Sequence, residues 1–365
     1  MPRHIPSLDG LRAIAVLLVL WSHAPHGVDG YPDWLKTAHW LASPGGLGVE
    51  LFFALSGFLI TRILLVERQR GQAVRWFLLR RLLRIFPIYY LLIVVVALVE
   101  PTDRLAWYLL YLNNFTDVIW PPQNGIGLGH TWSLCVEEHF YLLWPLVVAW
   151  TAPRTSRRVL LWGVIPTAIL SALALCWFLP APRSALIVQS VSPVRFGTLA
   201  AGALVAFAEP WLRQQPNRLL RLGALLIVLG LALHPHIWFL YVPFFVLQAP
   251  WWPLDFAPAG LRIQSAIFAT GILLVCLQPR RSWLSPARLL SNAPLRAIGR
   301  ISYAVYLYHM PIYRWVILPQ PTVLRTCLAV ALTLAVAAVS YWLIERPILR
   351  YAARFRSKPS GNETT

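Results

Sequence analysis

The stretch Ser7-Leu-Asp9-Gly-Leu-Arg12-Ala-Ile-Ala-Val-Leu-Leu-Val-Leu-Trp21-Ser-His23-Ala-Pro25 decides how the whole chain is read. Its apolar run is bracketed by Arg12 and His23, eleven positions apart. Eleven residues make close to three helical turns. At about 100° per residue the two side chains fall within about 20° of one face, roughly 16 Å apart along the axis. Asp9, one turn before Arg12, joins that face. Such a polar stripe is costly to expose to hydrocarbon, so it faces protein or water. A cleaved signal peptide has a similar outline, with Arg3 ahead of the apolar core and Ser22-His23-Ala24 as the cut. Asp9 and Arg12 interrupt its run-up, Pro25 follows the cut, and many apolar segments come after. The stretch reads as a first membrane span.

The 365 residues are 58% hydrophobic and 13% charged, against about 45–50% and about 25% in a soluble domain. That composition predicts an all-α polytopic membrane protein. The formal net charge of +18 comes in short Arg clusters between apolar segments, the pattern of cytoplasmic loops rather than of a nucleic-acid surface. Cys135, Cys176, Cys276 and Cys327 stand singly in apolar stretches. They predict buried thiols, with neither a disulfide framework nor a metal site.

Segments 8–25, 45–66, 85–100, 131–150, 159–179, 192–208, 219–234, 261–278, 300–318 and 323–344 are apolar enough to span, which gives a bundle of about ten helices. On the side shared with the termini, Arg is dense before position 85 and again at Arg154, Arg157, Arg158, Arg213, Arg218, Arg221 and from Arg280 to Arg300. The opposite loops hold only Lys36, Arg104, Arg183, Arg262 and Arg325, while Arg195 and Arg314 fall inside spans. This bias places both termini in the cytoplasm. Residues 234–260 are aromatic but broken by five prolines, and read as an interfacial or re-entrant segment on the outer face. Residues 1–350 then form one integral-membrane domain of the cytoplasmic (inner) membrane, and 351–365 a short, disordered cytoplasmic tail.

Polar residues recur at fixed places in these spans. The second carries Glu50, placed near the outer end facing an aqueous vestibule, and Ser56-Gly57. Packing through Gly57 and a backbone-bonded hydroxyl is the simpler reading of that pair. Arg80-Arg81-Leu-Leu-Arg84 opens the third. Such a cluster serves topology and lipid contact, yet Arg81 and Arg84 at i, i+3 also form a fork for phosphate. The fourth opens His130-Thr-Trp-Ser133-Leu-Cys-Val-Glu137-Glu138-His139-Phe-Tyr141. Ser133, Glu137 and Tyr141 share a face, and Glu138 and His139 are expected to point elsewhere. In the ninth, Ser302, Tyr306 and His309 form one stripe, although a lone intramembrane histidine more often packs than reacts. Glu345-Arg346-Pro347 reads as a capping ion pair.

In this order the motifs resemble the membrane-bound acyltransferase-3 family, which O-acylates carbohydrates. The resemblance runs from Leu8-Asp9-Gly10-Leu11-Arg12 to Glu345-Arg346-Pro347. Its most specific pieces are the spacing of Arg12 and His23, Phe52-Phe53-Ala54-Leu55-Ser56-Gly57-Phe58, Arg81-x-x-Arg84, Trp132-Ser133-Leu134-Cys135-Val136-Glu137 and Tyr306-Leu-Tyr-His309. It implies a ten-helix bundle and an acyl-coenzyme A co-substrate, acetyl-coenzyme A above all, taken from the cytoplasm. The acceptor it implies is a carbohydrate hydroxyl, lipid-linked or part of an envelope glycan. No tightly bound cofactor is expected.

The residues support the same chemistry. Coenzyme A has phosphates at one end and its thioester at the other end of an arm on the order of 15–20 Å, comparable to the rise between Arg12 and His23. Arg12, Arg81 and Arg84 are the donor-binding candidates. His23 is the candidate general base, since imidazole titrates near neutral pH, and Glu137 a carboxylate to orient it. A histidine nucleophile is the weaker variant. Asp9, Glu50, Ser56, Ser133, Tyr141, Tyr306 and His309 are placed as supporting lining. The rival functions are a transporter or flippase of an envelope precursor, which would turn over no coenzyme A, and a scaffold without turnover.

Overall fold

The computed structural model describes residues 4–24, 31–34, 46–120, 127–180, 183–233, 256–279, 285–317 and 322–355, and among them every regular element is helical. Ten helices carry the fold: α1 Pro6–His23, α2 Leu47–Gln69, α3 Val74–Val99, α4 Trp132–Trp150, α5 Pro153–Phe178, α6 Ser192–Gln214, α7 Pro216–Ala232, α8 Ala257–Cys276, α9 Ala293–Val316 and α10 Val323–Ser340. Each predicted segment falls on one of them. The largest shift is in α3, which starts at Val74, so Arg80, Arg81 and Arg84 are helical rather than loop residues. Most of 234–260 lies outside the described residues.

Local chemistry sets the ends that matter for the site. Pro6 sits at the first helical position of α1, where its missing N–H costs nothing. Ala24 is extended, with φ −73° and ψ 136°, because the residue before a proline is driven out of the helical region. His23 is therefore the last helical residue of α1. Gly46 caps α2 at φ +93°, a left-handed conformation that glycine adopts without strain. Asn292 caps α9 by accepting from the Leu295 amide at 2.9 Å.

Among the described residues five helices are long and apolar enough to cross a membrane, or six if a short helix, Arg183–Ser190, bent by 45° from α6, is counted with it. α2, α3, α5, α8 and α10 make up the five, with α10 running through a wide turn to Phe355. α1, α4 and α9 do not join them, since each carries several charged or imidazole side chains. Those three lie inside: α1 packs on α9 and α2, and α4 on α2 and α6. α3, α5 and α10 instead turn Leu98, Trp162, Phe178, Leu324 and Leu343 outward, a surface suited to lipid. Backbones meet closely where several helices cross. A Cβ on Gly57 would strike the Leu199 carbonyl and one on Gly202 the Ala54 carbonyl; Gly10 and Gly299 are matched in the same way against Leu290 and Asp9. Small residues let helices approach this closely.

Three expectations are revised. Cys327 is exposed, unlike the other three thiols, because α10 turns much of its surface outward. Glu345 and Arg346 form no ion pair among the described residues: Glu345 Oε1 is buried without a partner, and the Arg346 guanidinium lies 4.1 Å over Trp342. Residues 351–355, expected to begin a disordered tail, are helical and docked, with Phe355 stacked on Trp76 at 5.6 Å and its carbonyl accepting from Arg80 at 2.9 Å.

The expectation of ten crossings with both ends on the Arg-rich side makes a direct prediction. In a cysteine-free background, an impermeant thiol reagent applied from outside should modify single cysteines at Asp33 and Asp255. It should spare those at Gln69 and Ser285. Labelling at 285 without labelling at 255 would put an added span ahead of 255, in the aromatic stretch, and reverse the last part of the topology.

Candidate active site

The cavity begins with three arginines. Arg12 comes from α1, and Arg81 and Arg84 from adjacent turns of α3; they line a hollow whose empty space, open mouth included, is about 780 Å³. None of the three makes an ion pair among the described residues. Their neighbours do: Arg80 pairs with Glu67, and Arg62 and Arg213 share Glu209 at 2.6 and 2.7 Å. The arginine cluster seen in the sequence thus divides into structural clamps and cations left open to the cavity. Arg81 is held by its flat face, 5.2 Å over the Tyr141 ring and 5.7 Å over Phe77, which leaves its N–H edge for other partners.

Glu137, Ser56 and Tyr141 line the same cavity. Ser56 Oγ donates to Glu137 Oε1 at 2.7 Å, and Tyr141 OH lies 2.9 Å from both Ser56 Oγ and Glu137 Oε2. Ser56 therefore bonds a side chain in the site rather than its own backbone. Ser133 and Tyr306 also line the cavity and are bonded to each other. Glu138, expected to point away, lines it too, because the hollow is wide enough to reach two adjacent positions of α4. His139 does point away, bonded to Ser192 at 2.7 Å and stacked on Phe115. A second hollow, lined by Arg80, Phe77, Leu349 and Ala352, shares Arg81 and Arg84 with the first.

His23 sits beyond this cavity, at the end of α1. It is exposed, with Nδ1 bonded to the Val19 carbonyl at 3.0 Å. A carbonyl only accepts, so Nδ1 carries the proton and Nε2 keeps a free lone pair. The expected Glu137–His23 pairing does not form: both Glu137 oxygens are engaged by Ser56 and Tyr141, and backbone takes the orienting role. Beside His23 lies His309, ring centroids 5.0 Å apart, and beyond it His130, at 4.8 Å. His309 is fully buried and donates from Nδ1 to the Tyr306 carbonyl at 2.6 Å; His130 bonds the Leu307 carbonyl at 3.1 Å. Tyr306 joins the two regions, since its ring faces the cavity and its OH donates to the His130 carbonyl at 2.9 Å. No group of side chains among the described residues could hold a metal ion.

Three predicted lining residues do not line the cavity: His309 stands in the histidine row, and two lie elsewhere. Asp9 bonds His4 at 2.9 Å and sits outside the cavity. Glu50 is buried and faces no vestibule: Arg195 and Thr198 each donate to it at 2.7 Å, and Arg262 lies at 3.4 Å. The span-internal arginines supply the reason, because a buried carboxylate needs a buried cation. His130 belongs to the histidine row although it was not singled out for a role. It precedes α4 in a short 3-10 turn, where helical spacing gives no guidance.

The sequence matches a family model described as an acyltransferase domain, that of the acyltransferase-3 family, over residues 5–345. A peptidoglycan O-acetyltransferase OatA of Listeria monocytogenes is 30% identical over 98% of this chain and 58% of its own length. The O-acetyltransferase OatA of Staphylococcus aureus is 31% identical over 95% and 57%. A putative peptidoglycan O-acetyltransferase, YrhL of Bacillus subtilis, is 30% identical over 95% and 55%. The chain spans somewhat more than half the length of these curated relatives. No solved structure matches it.

Proposed function

The chain belongs to the membrane-bound acyltransferase-3 family, and on that premise we propose that it transfers an acyl group, acetyl above all, from acyl-coenzyme A to a hydroxyl of an envelope glycan of the peptidoglycan kind. One observation carries the reading furthest: among the described residues Arg12, Arg81 and Arg84 stand without ion pairs around one cavity, while an imidazole with a free Nε2 ends the same helix that presents Arg12. A polyanionic donor supplies the charge these guanidiniums lack. The second hollow gives the donor a route to Arg81 and Arg84 from the Arg-rich face, and its arm runs from there toward His23. The acetyl group and the peptidoglycan acceptor follow from the names of the relatives.

In this mechanism the glycan hydroxyl oxygen attacks the thioester carbonyl carbon as His23 Nε2 takes its proton. The carbon–sulfur bond breaks, and the imidazolium returns the proton to the departing thiolate. The Val19 carbonyl holds the ring in the tautomer this requires and stabilises the imidazolium through the Nδ1–H bond. Glu137, Ser56 and Tyr141 act as a rigid wall that fixes Arg81, not as a catalytic triad.

The test uses membranes bearing the chain, acetyl-coenzyme A and a peptidoglycan fragment. Free thiol should appear together with a glycan product heavier by one acetyl group. A transporter would release no thiol, and thiol without acetylated glycan would point to another acceptor. Donor binding is checked separately. Arg81→Ala with Arg84→Ala should raise the donor KM by about 10²-fold, from two lost charge-assisted contacts at about 1.5 kcal/mol each, with kcat less affected. An unchanged KM in correctly inserted protein would return the pair to a topological role.

A further inference from the structure

A third hollow, comparable in size to the first, lies away from this site, between α5, α6, α7 and α8, with empty space of about 880 Å³. Ile169, Val194, Leu226, Ile263 and Ile267 make its walls apolar, yet Arg195 and Arg262 line it too. Both arginines answer to one carboxylate. Glu50 Oε1 accepts from Arg195 at 2.7 Å, and Arg262 reaches the same oxygen only at 3.4 Å. Among the described residues no other acid pairs with either. Two cations against one carboxylate leave one positive charge in excess, and the Nε of Arg195 is buried without a hydrogen-bond partner. Arg195 is packed between the rings of Phe53 and Trp132, 5.0 and 5.3 Å from their centroids. Those contacts soften its cost without neutralising it.

An uncompensated cation in an apolar wall is unstable unless an anion joins it. A small hydrated anion would lose its water and gain nothing from the aliphatic lining. An anion with a hydrocarbon body gains from both. The hollow also borders surfaces that face outward, where Leu170 and Leu173 of α5 and Leu225 and Val228 of α7 are exposed. Glu50 and Arg195 lie in the first turn of their helices and Arg262 in the second, and α2 begins beside the later half of α1, with Gly48 against Val19. We propose that this hollow binds one anionic phospholipid from the leaflet on the His23 face, its phosphodiester at Arg262 and Arg195 and an acyl chain along Ile169, Val194, Ile263 and Ile267. The single negative charge of a phosphodiester matches the single charge in excess.

The probes are phosphatidylglycerol and phosphatidylcholine, of matched chains, supplied to the purified full-length protein in neutral detergent and read by native mass spectrometry. Wild-type protein should retain phosphatidylglycerol over phosphatidylcholine by about fivefold or more, the preference one basic side chain gives for an anionic lipid. Arg262→Gln should remove that preference. Ala266→Trp fills the hollow while keeping every charge, and should remove the bound lipid itself. It also decides the matter if Arg262→Gln does not fold. Equal retention of both lipids by wild-type protein would overturn the proposal, as would phosphatidylglycerol retention unchanged in a folded variant of either kind.

Discussion

Replacing His23 by Gln should lower acyl transfer by about 10²–10⁴-fold, the range that general-base catalysis contributes. Glutamine keeps the size of the side chain and can still donate to the Val19 carbonyl, but it has no lone pair that takes a proton at neutral pH. The site permits this substitution to be read cleanly. His23 is exposed at the last turn of α1, so the fold loses little, and melting should move by no more than a surface change produces. Donor contacts lie about three turns away at Arg12, so the donor KM should hold while kcat falls. The measurement is single-turnover transfer in purified protein with saturating donor. Near-wild-type transfer by His23→Gln would sink the base assignment and move attention to His309 and Glu137. His309→Gln is a poor substitute for the experiment, because that ring is fully buried and its loss would mix packing with chemistry.

What the sequence made legible was whatever depends on one helix at a time. The alignment of Arg12 with His23, the fork of Arg81 and Arg84, and the shared face of Ser133, Glu137 and Tyr141 all follow from helical period. Arg12, Arg81, Arg84, Ser133, Glu137 and Tyr141 line one cavity, whereas His23 lies beyond it. Partners between helices were not legible, because period says nothing about which helix comes opposite. Glu50 looked like a residue facing water, since nothing nearby in sequence neutralises it; Arg195 stands 145 positions away. Glu137 looked free to orient His23, and only packing brings Ser56 from α2 to occupy it. Arg81 and Arg84 were set apart from Arg80 by their shared face, but the acid that claims Arg80, Glu67 on α2, was not legible. In each case the missing term was the charge or hydroxyl delivered by a second helix.

Gly57→Ala should be among the most damaging single-methyl changes in the molecule outside the chemistry. A Cβ at this position would land on the Leu199 carbonyl of α6, and the matching position, Gly202, faces the Ala54 carbonyl of α2. Overpacking commonly costs about 1–3 kcal/mol when side chains are able to shift. Here both neighbours are backbone, which has no rotamer to change, so about 3 kcal/mol or more is expected. The helices must separate, and Ser56, next in the chain, moves with α2 away from Glu137 and Tyr141 on α4. Gly57→Ala should therefore lower the melting temperature and raise the donor KM together, the second because Tyr141 holds Arg81. Gly202→Ala strains the same gap, so the double variant should cost less than the sum of the two. Gly163→Ala is the matched control, since its Cβ would meet only one side-chain atom at 4.0 Å, and it should change neither quantity. Thermal unfolding in lipid nanodiscs, with donor KM measured on the same preparations, decides it: a Gly57→Ala protein that melts with wild type means α2 and α6 do not meet backbone to backbone.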